Sequence, residues 1–262
     1  MYTAIHYEKN NQVGVIRFDR PKQLNAMNRT MRDEMFQCLR DVENDQDVRV
    51  LILWGGEMLF GAGADVTDFS GRQEGNPSVS AAYQSEQFQE VCNTIERLAI
   101  PTIAAIGGHC LGMHLEMALA CDIRIVSKNV KIGLPELRLG VLPGAGGTQR
   151  LPRIIGASQA KEILFSAGRM NSEEAYRLGL ANHVAEEGAL LGTAMQLASK
   201  IAANAPLAVR QAKQLVNAST NHGLAEGLVL ERTANGMLGG SEDQIEGARA
   251  FQEKRAPEFK GR

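Results

Sequence analysis

The sequence has little that suits a nucleic-acid-binding, membrane-spanning or secreted protein. Its 28 Lys and Arg residues are balanced by 30 Asp and Glu, and the resulting net charge of −2 gives no reason to expect a polyanionic partner. No run approaches the roughly 18 apolar residues of a transmembrane helix, and residues 1–6 lack the basic and then apolar layout of a signal peptide. We therefore expect a cytoplasmic protein, or one of an organelle matrix after processing, with neither nucleic acid nor membrane among its partners.

Cysteine is scarce, and motifs for metal or nucleotide chemistry are missing. His109 and His114 are five residues apart, which does not place them on one helical face, so no metal site is predicted. The GxSxG, GxxxxGK[ST], GxGxxG and HExxH motifs are absent, which disfavours serine hydrolases, P-loop enzymes, dinucleotide enzymes and zinc peptidases. Without a CxxC pair, the thiols are predicted to be reduced and mostly buried. The four cysteines are Cys38, Cys92, Cys110 and Cys121.

Hydrophobic patterning predicts an α/β protein with a helical C-terminal region. Apolar runs at residues 48–54 and 102–106 predict buried strands, and they alternate with segments whose apolar residues recur at helical spacing. A unit of strand, strand and helix recurs without a detectable sequence repeat. We predict a core over residues 1–187, a helical region over residues 188–262, and a mobile surface loop at residues 70–80.

Two glycine-rich segments, residues 60–65 and 107–113, directly follow predicted strands. Glycine lets the backbone turn sharply and expose its N–H groups, and the second segment also opens onto a predicted helix with a positive N-terminal end. Two such turns together can form an oxyanion hole. The alternative is that both are ordinary tight turns.

Two glutamates lie among apolar residues. Glu116 falls on the predicted helix at residues 112–120, and Glu136 follows twenty positions later. An unpaired carboxylate in such a context is costly unless it lines a cleft, and two of them suit general acid and base catalysis. The alternative is that each glutamate pairs with a nearby arginine, such as Arg124 or Arg138.

An ordered set of short motifs runs along nearly the whole chain. Any one of them is a weak signal, but their order is specific. The motifs are Arg20-Pro21-Lys22-xx-Asn25-Ala26, Phe60-xx-Gly63-Ala64-Asp65, Gly108-xxx-Gly112 with Glu116 and Cys121-Asp122, Gly133-xx-Glu136, Pro143-Gly144-Ala145-Gly146-Gly147-Thr148-Gln149-Arg150-Leu151, and Phe251-xx-Lys254-Arg255-x-Pro257. Together they resemble the enoyl-CoA hydratase/isomerase (crotonase) family.

The resemblance implies a crotonase-like spiral of strand, strand and helix units, followed by a helical C-terminal region used in trimer formation. It implies a homotrimer, often paired into a homohexamer. It also implies an acyl-CoA thioester substrate and no separate cofactor, since coenzyme A is part of the substrate.

By position, the resemblance assigns roles to residues of both glycine-rich segments and to both glutamates. The backbone N–H groups of Ala64 and Met113 would form the oxyanion hole for the thioester oxygen. Glu116 and Glu136 would be the catalytic residues that handle a water molecule and its protons, and Gly144 would help to position that water.

Coenzyme A would be held at two places. Lys22 and Ala62 would lie near its adenosine end, while Phe251 and Lys254 would reach the coenzyme A of a neighbouring subunit. The residues that the resemblance implies for coenzyme A binding are Lys22, Ala62, Ala64, Asp65, Phe251 and Lys254.

Residues 112–114 read Gly-Met-His where the family usually has several glycines. The N–H of Met113 survives, but the room around the acyl chain and the φ angle at Met113 are left open by the sequence. His114 either adds a polar group near the pocket or points into a subunit contact.

Retention of both glutamates favours a hydratase that adds water across the C2–C3 double bond of a 2-enoyl-CoA, as in fatty acid β-oxidation, to give a 3-hydroxyacyl-CoA. Three alternatives stay open: an enoyl-CoA double-bond isomerase, a methylglutaconyl-CoA hydratase type, and a weakly active CoA-thioester-binding member. The first predicted helix is rich in acidic residues, which disfavours the RNA binding of some methylglutaconyl-CoA hydratases. The sequence specifies neither the acyl chain nor which glutamate is the acid.

Overall fold

The computed structural model describes residues 2–67 and 76–262, and strands and helices alternate through most of them. The strands are β1 (Ile5–Asn10), β2 (Val13–Phe18), β3 (Val50–Trp54), β4 (Leu59–Gly61), β5 (Thr102–Ile106), β6 (His109–Leu111), β7 (Ile123–Ser127), β8 (Lys131–Gly133) and β9 (His183–Ala185). The α-helices are α1 (Arg29–Asn44), α2 (Pro77–Arg97), α3 (Met113–Ala120), α4 (Gly147–Ile155), α5 (Ala157–Ser166), α6 (Ser172–Arg177), α7 (Leu190–Ala202), α8 (Pro206–Ala218), α9 (Leu224–Leu238) and α10 (Glu242–Glu253). Short 3-10 helices span Pro21–Gln23 and Glu136–Leu139.

The described strands form two sheets that the chain visits in turn. The larger sheet has the order β1-β2-β3-β5-β7-β9, and the smaller has the order β4-β6-β8. All neighbouring strands are parallel except the hairpin of β1 and β2. Because β3, β5 and β7 are each followed by a strand of the smaller sheet, the chain advances as a spiral. The predicted recurrence of strand, strand and helix is confirmed.

The central strands are apolar along their whole length because both faces of the larger sheet are covered. In β3, Leu51 and Leu53 point into the core that includes α1 and α3. Val50 and Ile52 point to the opposite face, where they pack against α7. Burial on both faces removes the alternation of polar and apolar residues that a half-exposed strand would show.

The predicted loop at residues 70–80 is wrong in its last part, because α2 begins at Pro77. Asn76 is the N-cap, and its side chain accepts a hydrogen bond of 2.9 Å from the N–H of Ser78. An Asn followed by Pro is a favourable helix start, since Pro needs no N–H partner in the first turn. Residues 70–75 lie outside the described residues.

The C-terminal helices differ in how they meet the spiral. Helix α7 buries Ala194 and Ala198 against the larger sheet, and α8 is fixed by Lys213, whose Nζ lies 2.9 Å from both the Ile100 carbonyl oxygen and Asp122 Oδ2. Helices α9 and α10 are largely exposed. The division at residues 187 and 188 stays a prediction.

Among the described residues, no helix combines the length and apolar character needed to cross a bilayer.

Candidate active site

Glu116 lies on α3, a helix whose residues are all buried. Its side chain is 2% exposed, and Oε1 accepts hydrogen bonds from the N–H groups of Ala145 (2.8 Å) and Gly147 (2.7 Å). Burial raises the pKa of Glu116 to about 7, and this effect outweighs the two amide donors, which favour the ionised form. The carboxyl group is therefore able to exchange a proton near neutral pH.

The two amide donors belong to a tight turn in which residue 147 has no room for a side chain. A Cβ on Gly147 would lie 2.9 Å from the side chains of both Leu134 and Pro143 and 3.1 Å from Glu116 Oε1. Glycine thus lets this backbone approach the carboxylate closely. Arg150 supports the turn, because its Nη1 donates to the carbonyl oxygen of Ala145 at 3.0 Å.

Arginine pairing does not explain the buried glutamates. Arg124 donates to backbone carbonyl oxygens of residues 118, 121 and 180 instead. Arg138 is exposed, and in the part of the chain that the structure describes neither Glu116 nor Glu136 takes part in an ion pair. The alternative that each glutamate pairs with a nearby arginine is therefore wrong.

Glu136 begins the 3-10 helix Glu136–Leu139 and is half-buried. Its Oε2 atom is buried without a hydrogen-bond partner in the described residues, and a Cβ on Gly112 would lie 2.8 Å from its Oε1. Burial raises the pKa of Glu136. The charge of Glu136 also contributes to the raised pKa of Glu116.

Residues 62–65, the segment after β4, leave one backbone N–H group without an acceptor among the described residues. Within the described part of the chain, the N–H of Ala64 donates to no other group. The other amides of this segment are all used: Ala62 donates to the Leu24 carbonyl oxygen at 3.0 Å, Gly63 to His114 Nδ1 at 3.3 Å, and Asp65 to the Met27 carbonyl oxygen at 2.9 Å.

The N-terminus of α3 abuts this segment. A Cβ on Gly63 would lie 3.7 Å from Gly112 Cα, and α3 begins at Met113, whose N–H has no partner within the helix. Gly112 carries the left-handed φ of 54°, whereas Met113 is helical. The φ angle at Met113 therefore suits a residue with a side chain. Met113 is buried in the core.

Four of the residues expected to bind coenzyme A lie near one another. Lys22 is exposed on the turn Pro21–Gln23, which Ala62 joins through its hydrogen bond to Leu24. Asp65 follows Ala64, and its carboxylate accepts from Arg20 Nη1 at 3.1 Å. The Asp65 side chain thus has two partners within the protein, this ion pair and a hydrogen bond of 2.7 Å from Thr67 Oγ1.

The remaining predicted residues lie elsewhere or have structural partners. Phe251 is 86% exposed near the end of α10, and Lys254 is the C-cap of that helix. Among the described residues, no hydrogen bond connects either of them to Lys22 or Ala62. Gly144 lies in the turn beside Glu116, and its carbonyl oxygen accepts from Gln89 Nε2 at 2.9 Å.

The sequence did not identify His114 as a contact of the Ala64 segment. The side chain is 0% exposed within this chain and points into the protein rather than outward, so the proposed subunit contact is wrong. Its interaction with Gly63 joins residues 51 positions apart, and no local pattern signals such a pair. No cluster of three or more metal-binding side chains occurs among the described residues.

Comparisons with known proteins show which family the chain resembles. A family model described as enoyl-CoA hydratase/isomerase matches residues 8–262. The short-chain-enoyl-CoA hydratase of Clostridium acetobutylicum is 41% identical over 257 residues, covering 97% of each chain. The crotonyl-CoA hydratase of Syntrophomonas wolfei is 36% identical over 263 residues, covering 98% of each chain.

The fold is also shared with solved structures. The crystal structure of an enoyl-CoA hydratase from Bacillus anthracis matches with a TM-score of 0.94 and 35% identity, over 99% of this chain and 100% of that chain. The predicted crotonase-like spiral is confirmed by this likeness. With a family match over nearly all of its length and relatives of this identity, the chain belongs to the enoyl-CoA hydratase/isomerase family.

Proposed function

We propose that this protein is an enoyl-CoA hydratase, which adds water across the C2–C3 double bond of a 2-enoyl-CoA to give a 3-hydroxyacyl-CoA. The observation that carries the proposal is the presence of two carboxyl groups with a raised pKa, Glu116 buried against Gly147 and Glu136 half-buried beside Gly112. Relatives named as hydratases support the same reaction.

The reaction places negative charge on the thioester oxygen. When the water oxygen bonds to C3, the electrons of the double bond move through C2 towards that oxygen, which becomes enolate-like. We assign the free N–H of Ala64 and the helix N-terminal N–H of Met113 as its two donors. Preorganised donors stabilise this charge without reorganisation, and each is typically worth about 3 kcal/mol. The N-terminal end of α3 adds a favourable potential.

The same step needs one ionised and one protonated glutamate. The ionised group accepts the proton that the attacking water loses, and the protonated group delivers a proton to C2. Two neighbouring carboxyl groups favour this half-protonated state, because ionisation of one raises the pKa of the other. In Glu116, the two amide donors occupy Oε1, so Oε2 is left to exchange the proton. Gly144, in the same turn, is proposed to help hold the water.

Substrate binding completes the proposal. Lys22, Ala62, Ala64 and Asp65 would line the coenzyme A path, and no cofactor beyond the substrate is required. The buried free cysteines suit a reducing compartment such as the cytoplasm. We further propose a homotrimer or a dimer of trimers, in which Phe251 and Lys254 contact the coenzyme A of a neighbouring subunit.

The test is incubation with crotonyl-CoA while the ultraviolet absorbance of the conjugated thioester is recorded. Hydration removes the conjugation, so absorbance should fall, and mass spectrometry should show a product heavier by one water. An isomerase would instead convert a 3-enoyl-CoA into a conjugated product of unchanged mass. Unchanged absorbance and mass with crotonyl-CoA and with longer 2-enoyl-CoAs would contradict the proposal.

A further inference from the structure

The side chain of His114 connects the two segments that carry the proposed oxyanion donors. His114 directly follows Met113 on α3, and its Nδ1 accepts the hydrogen bond from Gly63, the residue directly before Ala64. One side chain therefore lies one residue away from each donor. In this chain it occupies a position between two backbone segments that are about fifty residues apart in sequence.

The hydrogen bond fixes the protonation state of the ring. A backbone N–H can only donate, so Nδ1 of His114 must be unprotonated and the ring proton must lie on Nε2. Burial lowers the pKa of His114 to about 3, so the ring stays neutral at physiological pH. Its Nε2 is buried without a partner in the described residues. The ring therefore offers a permanent acceptor to Gly63 and takes no part in proton transfer.

The ring is also held rigidly in place. Phe18 and Phe60 meet it edge to face, with ring centroids 5.2 and 6.1 Å away. Such pairs are favourable aromatic contacts. A Cβ at Gly61 would overlap the imidazole, so the glycine leaves the space that the ring fills. These contacts, together with the hydrogen bond from Gly63, restrict the position of the ring.

We infer that His114 is a positioning residue, which fixes the N–H of Ala64 relative to the N–H of Met113. The inference rests on the proposed function, because it assigns those two amides to the thioester oxygen. Of the amides at residues 62–65, that of Gly63 is held by a side chain and those of Ala62 and Asp65 by backbone. Removing that acceptor breaks the hydrogen-bonded link between Gly63 and α3, while the Gly63 carbonyl oxygen still accepts from the Met27 N–H at 2.8 Å and both catalytic glutamates remain.

The test compares three variants. His114→Leu removes the acceptor, and His114→Asn places an amide oxygen close to the original Nδ1 position. Phe18→Leu is the matched control, since it removes a ring contact of His114 and keeps the acceptor. For each, kcat and KM for crotonyl-CoA are measured together with the ultraviolet red shift of a bound aryl-substituted enoyl-CoA. That shift reports polarisation of the thioester carbonyl and does not depend on turnover.

His114→Leu should lower kcat about 10- to 100-fold with KM changed less than about threefold, and it should reduce the red shift, because misplaced donors lose transition-state stabilisation. His114→Asn should recover part of both. Phe18→Leu should lower the melting temperature but keep the red shift. A His114→Leu protein whose kcat and red shift stay within about twofold of wild type overturns the inference.

Three further outcomes are also decisive. If His114→Leu does not fold, His114→Asn is compared with His114→Gln, whose amide oxygen is displaced by one methylene, and equal red shifts in these two overturn the inference. A wild-type protein that neither hydrates crotonyl-CoA nor shifts the spectrum overturns the proposed function, and this inference with it. A wild-type shift that His114→Leu and Phe18→Leu lose equally assigns the effect to packing and rejects the role of the acceptor.

Discussion

Arg150 and Ala145 are joined by a hydrogen bond of 3.0 Å from Nη1 of the guanidinium to the Ala145 carbonyl oxygen. The N–H of the same Ala145 donates to Glu116 Oε1. The guanidinium is itself fixed, because Nη2 donates to Asn93 Oδ1 at 2.8 Å and to Glu96 Oε2 at 2.6 Å. Helix α2 thus supports, through one arginine, the turn that holds the buried carboxylate of Glu116.

Arg150 should affect both the rate and its pH dependence. Arg150→Met removes the support of the turn, so we expect kcat to fall about 10-fold. The positive charge of Arg150 also lowers the pKa of Glu116. Loss of this charge should therefore move the limb of the pH–rate profile that reports ionisation of Glu116 to higher pH. Arg150→Lys keeps the charge without the forked geometry, and it should lower kcat while leaving that limb in place. Unchanged kcat and pH profile in Arg150→Met would contradict this role.

Glutamine at either glutamate position should abolish proton transfer without disturbing the fold. In Glu116→Gln, the amide oxygen still accepts from the N–H groups of Ala145 and Gly147. We expect each of Glu116→Gln and Glu136→Gln to lower kcat by about 10²- to 10⁴-fold, with the dissociation constant of a nonreactive acyl-CoA changed little. The double variant should lose far less than the product of the two effects. Near wild-type hydration by either single variant would remove that glutamate from the mechanism.

The raised pKa of Glu116 also predicts a pH-dependent stability. Its pKa is about 7 in the folded protein against an ordinary 4.5, so the folded state binds more protons than the unfolded state between these values. Stability from this group is complete below about pH 4.5 and is lost as the pH rises through 7, by about 3 kcal/mol in total. Glu116→Gln cannot ionise, so its free energy of unfolding should exceed that of wild type near about pH 8 and approach it near about pH 5.

Urea denaturation at fixed protein concentration measures that difference. Glu187→Gln removes one negative charge from an exposed position and corrects for the change in net charge. A difference between Glu116→Gln and wild type that is constant from acidic to alkaline pH would show that the carboxyl group does not titrate in this range.

The sequence predicts those elements whose buried apolar residues form a continuous run or recur at a regular spacing. Strands β3 and β5 are apolar runs, and α1 carries one apolar stripe. The edge strand β1 exposes most of its side chains and therefore has no such apolar pattern. Helix α4 contains Pro152, and β4 has only three residues. Elements that are short, exposed or interrupted by proline lack the pattern from which prediction starts.

The candidate site also has features that the sequence predicts and features that it does not. Glu116 and Glu136 stand out because carboxylates are rare in apolar segments, and the glycine turns stand out by composition. The contacts between them are not visible in the sequence. Glu116 meets Ala145 and Gly147 across 29 and 31 positions, and Gly63 meets His114 across 51. Such pairs depend on how the spiral brings its turns together, which local sequence does not encode.

Assembly should be visible in solution. Helices α9 and α10 expose large apolar side chains beyond what a stable monomer normally leaves in water. We expect a trimer or hexamer by light scattering, and Leu224→Glu combined with Phe251→Glu should shift the protein towards monomers. A fully active wild-type monomer at micromolar concentration would contradict the proposed assembly. The exposed residues are Leu224, Leu228, Met237, Ile245 and Phe251.

Met113 should set the length of acyl chain that the enzyme accepts. Its N–H is unaffected by the side chain, and the side chain is buried at the start of the helix that carries this donor. We expect Met113→Ala to keep kcat on crotonyl-CoA within a few-fold and to raise kcat/KM for longer or branched 2-enoyl-CoAs about 10-fold. The free energy of unfolding should fall by about 2–5 kcal/mol, because a buried side chain is removed.

Met113→Leu is the control for this experiment, since it keeps the volume of the side chain and should leave the substrate preference unchanged. If Met113 instead holds the donor away from its working position, Met113→Ala should raise kcat on crotonyl-CoA too, towards the roughly 10²-fold effect of an oxyanion donor. Kinetics on short and long substrates separate these results, because a steric effect changes only the larger substrates. An identical preference in all three proteins would mean that the Met113 side chain points away from the acyl chain.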